Sequence, residues 1–236
     1  VEQAGTLNFL HNLVLDLNTA QSPFLGIDGH RFSVHSGFLT AFLSVKVQLL
    51  KRLRALVSIY NPREVICCGH SLGGGLSKVC MIDKDIAPYV TAYIGFGSPR
   101  VTGGIHDKEV YKKHWGDRSI RVSNADDLVT YLPPPTTYNF MDKCLMIDRK
   151  DNYKSRIFEG DWRFKKFSTY FWELAGMEGH SRINYLNSIC DLTIKRPWGI
   201  KEFDSPSIML SNWTRESVYL KSCAYKAFVG MTALNN

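Results

Sequence analysis

No apolar run in this 236-residue chain approaches the roughly 20 residues that carry a helix across a bilayer. The six cysteines never fall into Cys-x-x-Cys spacing, which argues against a zinc or thioredoxin-type site. Acidic residues are the minority charge, 22 against 29 basic ones, and no nucleic-acid motif accompanies the resulting +7. Nucleic acid is therefore not the expected partner. From Asp191 onward there is no repeat, low-complexity tract or chemical motif.

What is present reads as an ordinary globular chain, 44 % hydrophobic and 22 % charged. A chain of this length buries roughly 70–75 % of its unfolded surface, enough for one core without metals or disulfides. The basic excess is partly local, in Lys46 to Arg54 and in Arg149 to Lys166. Such runs suit either a solvated face or peripheral contact with an anionic membrane surface. Cys67 and Cys68 are neighbours on a predicted strand, so they point to opposite faces as small apolar residues. That usage leans toward a reducing compartment, while the even cysteine count leaves disulfides, and secretion, open. The Asn212-Trp213-Thr214 sequon matters only in a secreted chain.

The organising stretch is Val65 to Ser77, in which a short β-leaning run enters Gly69-His70-Ser71-Leu72-Gly73 and helix-compatible residues leave it. This strand–turn–helix setting gives Gly-x-Ser-x-Gly the meaning of a nucleophile elbow. A serine on so sharp a turn needs neighbours without side chains, and Gly69, Gly73, Gly74 and Gly75 supply them. The N–H of Leu72 would open the helix and face any oxyanion formed at Ser71. A glycine-rich turn with a structural serine fits the same residues, so Ser71 needs partners elsewhere.

Along the chain, the segment from Leu7 to Leu17 reads either as an amphipathic helix on the core or as a mobile apolar lid. Gln21 to His30, with Ser-Pro and Gly-Ile-Asp-Gly, reads as a loop. A long helix follows from Leu39 to Val57 and stops at Asn61-Pro62, and His35 just before it reads as structural. Strands are expected at Tyr89 to Phe96 and Ser119 to Ser123, and a hairpin joins Phe140–Asp148 to Tyr153–Phe158. Asp126 and Asp127 lie just past a strand's C-terminal end, the edge where open α/β sheets keep their chemistry. Helices are expected at Trp162 to Ala175 and from Glu178 through Leu186. His180 is the only histidine after those acids, so a Ser…Asp…His order can use no other.

Taken in order, Ala4-Gly5-Thr6, Val34-His35-Ser36-Gly37-Phe38, Gly69 to Gly74, Gly97-Ser98-Pro99-Arg100-Val101, Arg121 to Pro134, and His180 with Tyr185 resemble the class 3 lipases, the fungal-lipase-like branch of the α/β-hydrolases. The resemblance implies an α/β-hydrolase fold, a mostly parallel central sheet with helices on both faces. It implies Ser71 as nucleophile, Asp127 as triad acid because it directly precedes Leu128-Val129, and His180 as general base. It also implies oxyanion donors at Thr6 and Leu72, and a lid after Thr6. Gly179 departs from the family, which often has Asp before the histidine, and Thr102 replaces a frequent Gly. The expected layout is a hydrolase domain over residues 1–190 and an extension over 191–236 packed on it.

The implied activity is hydrolysis of lipid esters, acylglycerols or glycerophospholipids, with no metal or cofactor needed by the triad. The same residues suit acyl transfer to an acceptor other than water. A lipase-like domain kept as a structural or interaction module is the alternative from another class. Only Val1 to Ala4 precede the Gly-Thr turn, where the family has further strands. The expectation is that an upstream piece has been removed, or that a second chain completes the N-terminal sheet edge.

Overall fold

In the computed structural model, residues 21–133, 137–148, 154–159 and 177–195 are described. Short apolar runs separated by helical crossovers build the sheet: β3 (Ile66–His70), β4 (Ala92–Phe96), β5 (Ser119–Asn124) and β6 (Lys143–Asp148) are parallel, and β7 (Lys154–Glu159) closes the order β3-β4-β5-β6-β7 antiparallel to β6. Parallel neighbours need crossovers long enough to hold a helix. These are α2 (Leu72–Ile82) between β3 and β4, and α3 (Asp107–Trp115) between β4 and β5.

The pleat sorts the strand residues between two cores. Cys68, Ile94 and Ile120 share a register, as do Phe96 and Val122, and this face meets Tyr185 and Ile189 of α4 (Arg182–Lys195). Cys67 and Tyr93 point to the other face, beneath Val79, Met81 and Ile82 of α2 and Tyr111 and Trp115 of α3. Cys67 and Cys68 thus serve opposite cores, and both are free thiols. Helices cover both faces of a mostly parallel sheet, the expected α/β-hydrolase arrangement.

On the α2 side of β5 the alternating residues are polar: Ser119, Arg121 and Ser123 are all buried there. The Arg121 guanidinium carbon lies 3.4 Å from the Phe140 ring centroid. The Lys78 ammonium of α2 pairs with the Asp142 carboxylate and donates to the Tyr111 hydroxyl at 2.8 Å, while Ser119 donates to the same carboxylate. Lys78 Nζ also sits 3.9 Å from the Tyr93 ring centroid. One buried ion pair therefore ties the elbow helix to α3, β5 and the entry to β6.

The helix after His35 is α1 (Ser36–Tyr60). His35 caps it, Nδ1 accepting from Gly37 N–H at 3.1 Å, and Asn61 ends it in the left-handed conformation. His35 is structural, as its position suggested. Lys46, first of the basic run on this helix, bridges Asp83 and Asp85 at 2.7 Å each.

The loop reading of Gln21 to His30 is corrected by the structure. β1 (Gln21–Leu25) pairs antiparallel with β2 (Arg31–His35) around a 3₁₀ turn at Ile27–Gly29. Ser-Pro masked the strand, yet proline is tolerated on an edge, and a two-stranded ribbon has only edges. The signal was the alternation that buries Phe32 and Val34 against Phe24. Similarly, β4 starts at Ala92 rather than Tyr89, because Pro88 sits in a 3₁₀ turn over Ala87–Tyr89. The segment expected to begin a helix at Glu178 is a 3₁₀ turn, Met177–His180, with α4 following.

Thr6, the segment from Leu7 to Leu17, the helix expected at Trp162 to Ala175, and residues 196–236 lie outside the described residues. Among the described residues β3 is an edge of its sheet.

Candidate active site

Ser71 sits where β3 turns into α2, at φ 57° and ψ −127°, a strained conformation for a residue with a side chain. Its N–H is held by the Phe96 carbonyl at 2.9 Å, so the end of β4 fixes the turn. Gly69 is required by closeness: a Cβ there would run into the Gly73 backbone one turn on. Gly73 itself faces open space, so no neighbouring atom demands its small size. Leu72 opens α2, and its N–H belongs to the first helical turn, whose donors have no intrahelical acceptor.

The end of β5 and the 3₁₀ turn before α4 deliver the other parts to this turn. Asp127 follows β5 and is fully buried. Its Oδ1 accepts from Val129 N–H at 2.8 Å, and its Oδ2 accepts from the Tyr185 hydroxyl at 2.6 Å. His180 closes the 3₁₀ turn before α4, with Nδ1 at 3.0 Å from both Asp127 oxygens and Nε2 at 2.8 Å from Ser71 Oγ. A carboxylate only accepts, so Nδ1 carries the hydrogen, and Nε2 of the neutral ring is left to accept from the Ser71 hydroxyl.

The structure therefore brings Ser71, Asp127 and His180 into one hydrogen-bonded path, 109 and 53 residues apart in sequence. It is Asp127, not Asp126, whose carboxylate meets the histidine. Leu72 lies beside them; Thr6 is outside the described residues. All three path members are buried, so their hydrogen bonds act in a low-dielectric setting that strengthens them. Such an arrangement can deprotonate a hydroxyl as it attacks a carbonyl carbon.

Four surrounding residues, Tyr185, Asn124, Ser188 and His70, carry no role in the sequence reading. Tyr185 bridges Asp127 and Asn124, accepting from the Asn124 N–H at 3.0 Å. Asn124 also donates from Nδ2 to the Gly179 carbonyl at 2.8 Å and accepts from Ser188 at 2.9 Å. His70, adjacent to Ser71, stacks on His180 with centroids 4.7 Å apart and an interplanar angle of 30°. Its pKa is lowered to about 4, chiefly by burial and then by the nearby His180. The available signal was strand alternation, which sets His70 on the same face as Ile66 and Cys68.

Comparison with known proteins points to one family. The chain is 30 % identical over 119 residues to phospholipase A1-II 5 of Oryza sativa subsp. indica, covering 45 % of this chain and 25 % of that protein. It is 29 % identical over 136 residues to secreted mono- and diacylglycerol lipase 1 of Fusarium solani, covering 57 % of this chain and 39 % of that one. The chain thus spans well under half the length of these relatives. Its fold matches the crystal structure of the mono- and diacylglycerol lipase from Aspergillus oryzae with a TM-score of 0.57 at 25 % identity, covering 72 % of this chain and 64 % of the other. The model of the family described as lipase (class 3) matches residues 3–137, more than half of the sequence and both the elbow and Asp127. On that match the chain belongs to the class 3 lipase family.

Proposed function

We propose that this chain hydrolyses carboxylic ester bonds of lipids, acylglycerols or glycerophospholipids, through an acyl-enzyme on Ser71. The observation that carries the reading is the unbroken path from Ser71 Oγ through His180 to the buried Asp127. The names of its relatives, phospholipase A1 and mono- and diacylglycerol lipase, support the substrate class.

In this reading His180 Nε2 takes the Ser71 proton as Oγ attacks the ester carbonyl, and Asp127 holds the tautomer and stabilises the imidazolium. The same proton then passes to the leaving alkoxide, and water repeats the cycle on the acyl-enzyme. Oxyanion donors are the N–H groups of Leu72 and Thr6, each of which contributes about 3–4 kcal/mol in comparable sites.

The test is labelling with a fluorophosphonate probe, which phosphonylates an activated serine. The folded chain is expected to label and Ser71→Ala to remain unlabelled. A folded, intact chain that fails to label with or without a lipid interface overturns the reading and leaves the interaction-module alternative. Among glycerolipid esters, hydrolysis of both acylglycerol and phospholipid would fit; turnover of neither by a chain that does label points to an acceptor other than water.

A further inference from the structure

We propose that His70 is a positioning residue for His180, holding the face of its ring and its backbone carbonyl from the strand that carries Ser71. The proposal rests on the reading of His180 as general base.

His70 is the last residue of β3 and pairs in register with Phe96. Its ring lies against the His180 imidazole, and the Tyr185 ring meets it edge-on at 5.7 Å and 69°. His70 Nε2 is 2.8 Å from the His180 carbonyl oxygen. That oxygen can only accept, so Nε2–H of His70 is the donor. Burial keeps the ring neutral around neutral pH, with its pKa lowered to about 4. The groups acting on it are His180, Asp127 and Arg182. A neutral face against His180 adds no charge opposing the imidazolium that forms during the reaction.

The consequence is mechanical. His180 ends a short 3₁₀ turn, and side chains from two strand ends hold two successive carbonyls there: Asn124 of β5 holds that of Gly179 and His70 of β3 that of His180. Because His70 is covalently next to Ser71, the nucleophile and the base share one anchor. The 2.8 Å contact between Ser71 and His180 is thereby tied to the elbow itself rather than left to the turn before α4. The stacked face also opposes rotation of the His180 ring away from Ser71.

His70→Ala removes ring and donor together, His70→Phe keeps a ring without the donor, and His70→Gln keeps a donor near the Nε2 position without the ring. Fluorophosphonate labelling separates two quantities: the final amplitude reads the folded fraction, and the rate constant reads the site in folded molecules. His70→Ala is expected to slow the rate constant about 10–100-fold, with ester kcat falling in parallel and KM nearly unchanged. Phe and Gln should each recover part of it. A merely structural role would lower the amplitude and leave the rate constant alone. If His70→Ala labels at the wild-type rate, or, should it fail to fold, if folded Phe and Gln variants both do, the proposal is overturned while the triad reading stands. If the wild-type chain does not label at all, the triad reading falls and the proposal with it.

Discussion

Tyr185 donates its hydroxyl to Asp127 Oδ2 at 2.6 Å and accepts the Asn124 N–H at 3.0 Å, so helix α4, which follows the histidine, also fixes the orientation of the acid. Hydrogen bonds to a buried charged group contribute more than neutral ones, about 1.5–3 kcal/mol. Tyr185→Phe keeps the ring in its core and deletes only the hydroxyl. We expect kcat on an ester substrate to fall about tenfold with KM little changed, because the interaction acts on the acid and not on the substrate. Asp127→Asn should cost far more, on the order of 10⁴-fold, by reversing the His180 tautomer. Equal losses in the two variants would contradict these separate roles.

Gly179, where the family often carries Asp, is explained by its surroundings. A Cβ at this position would lie 2.6 Å from the carbonyl carbon and oxygen of Asp126, the residue before the acid. Backbone cannot yield as the end of a flexible side chain does. Gly179→Ala should therefore push the His180 turn away from Asp127, lowering Tm by several degrees and slowing phosphonylation of Ser71. Gly179→Asp, which restores the family's residue, should do at least as much harm here. A Gly179→Asp chain as stable and reactive as wild type would show that the two segments are free to separate.

What the sequence disclosed and what it hid follow from the range of the interactions. Gly69, Ser71 and Leu72 announce themselves because the elbow is local: a strained turn and its glycine are encoded within a few residues. The order of Ser71, Asp127 and His180 was readable because only one histidine follows the acids. Their meeting was not, since it depends on strand order and register, which bring residues 71 and 127 to one end of the sheet, and on the packing of α4, which carries residue 180 there. The ribbon of β1 and β2 was hidden by Pro23, a breaker in a central strand but not on an edge. The polar face of β5 is supported from beyond it, Ser119 by the Asp142 carboxylate and the Arg121 guanidinium by the Phe140 ring, contacts that no local pattern announces.

The Lys78–Asp142 pair should behave as an ion pair that must be kept or lost whole. Burial pulls the Lys78 pKa down to about 8, against the pull of Asp142. Burial works to raise Asp142, but Lys78 together with the Ser119 and Tyr111 hydroxyls outweighs it and holds the carboxyl below its ordinary value. Lys78→Met leaves a buried carboxylate without its countercharge and should cost about 3–5 kcal/mol in urea unfolding; Asp142→Leu should cost a similar amount by stranding the ammonium. The double variant should lose much less than the sum of the two. Additive losses would mean the groups do not stabilise each other.

His70 also fixes a pH dependence of stability. Its pKa is about 4 in the folded chain, against an ordinary value of 6.5. Between these values the unfolded chain binds a proton that the folded chain refuses, so stability rises with pH across this window. The contribution is fully present above pH 6.5, drains as pH falls, and is gone below about pH 4. The fall from 6.5 to about 4 corresponds to about 3 kcal/mol. Buried carboxylates titrate in the same range, so the comparison needed is wild type against His70→Phe, which shares every other group. Urea unfolding at pH 7.5 and pH 4.5 should show the wild type losing more stability than the variant, the difference approaching about 2–3 kcal/mol at the lower pH. Parallel losses would mean that His70 gains its proton as easily in the fold as outside it, which its buried place against His180 and Tyr185 argues against.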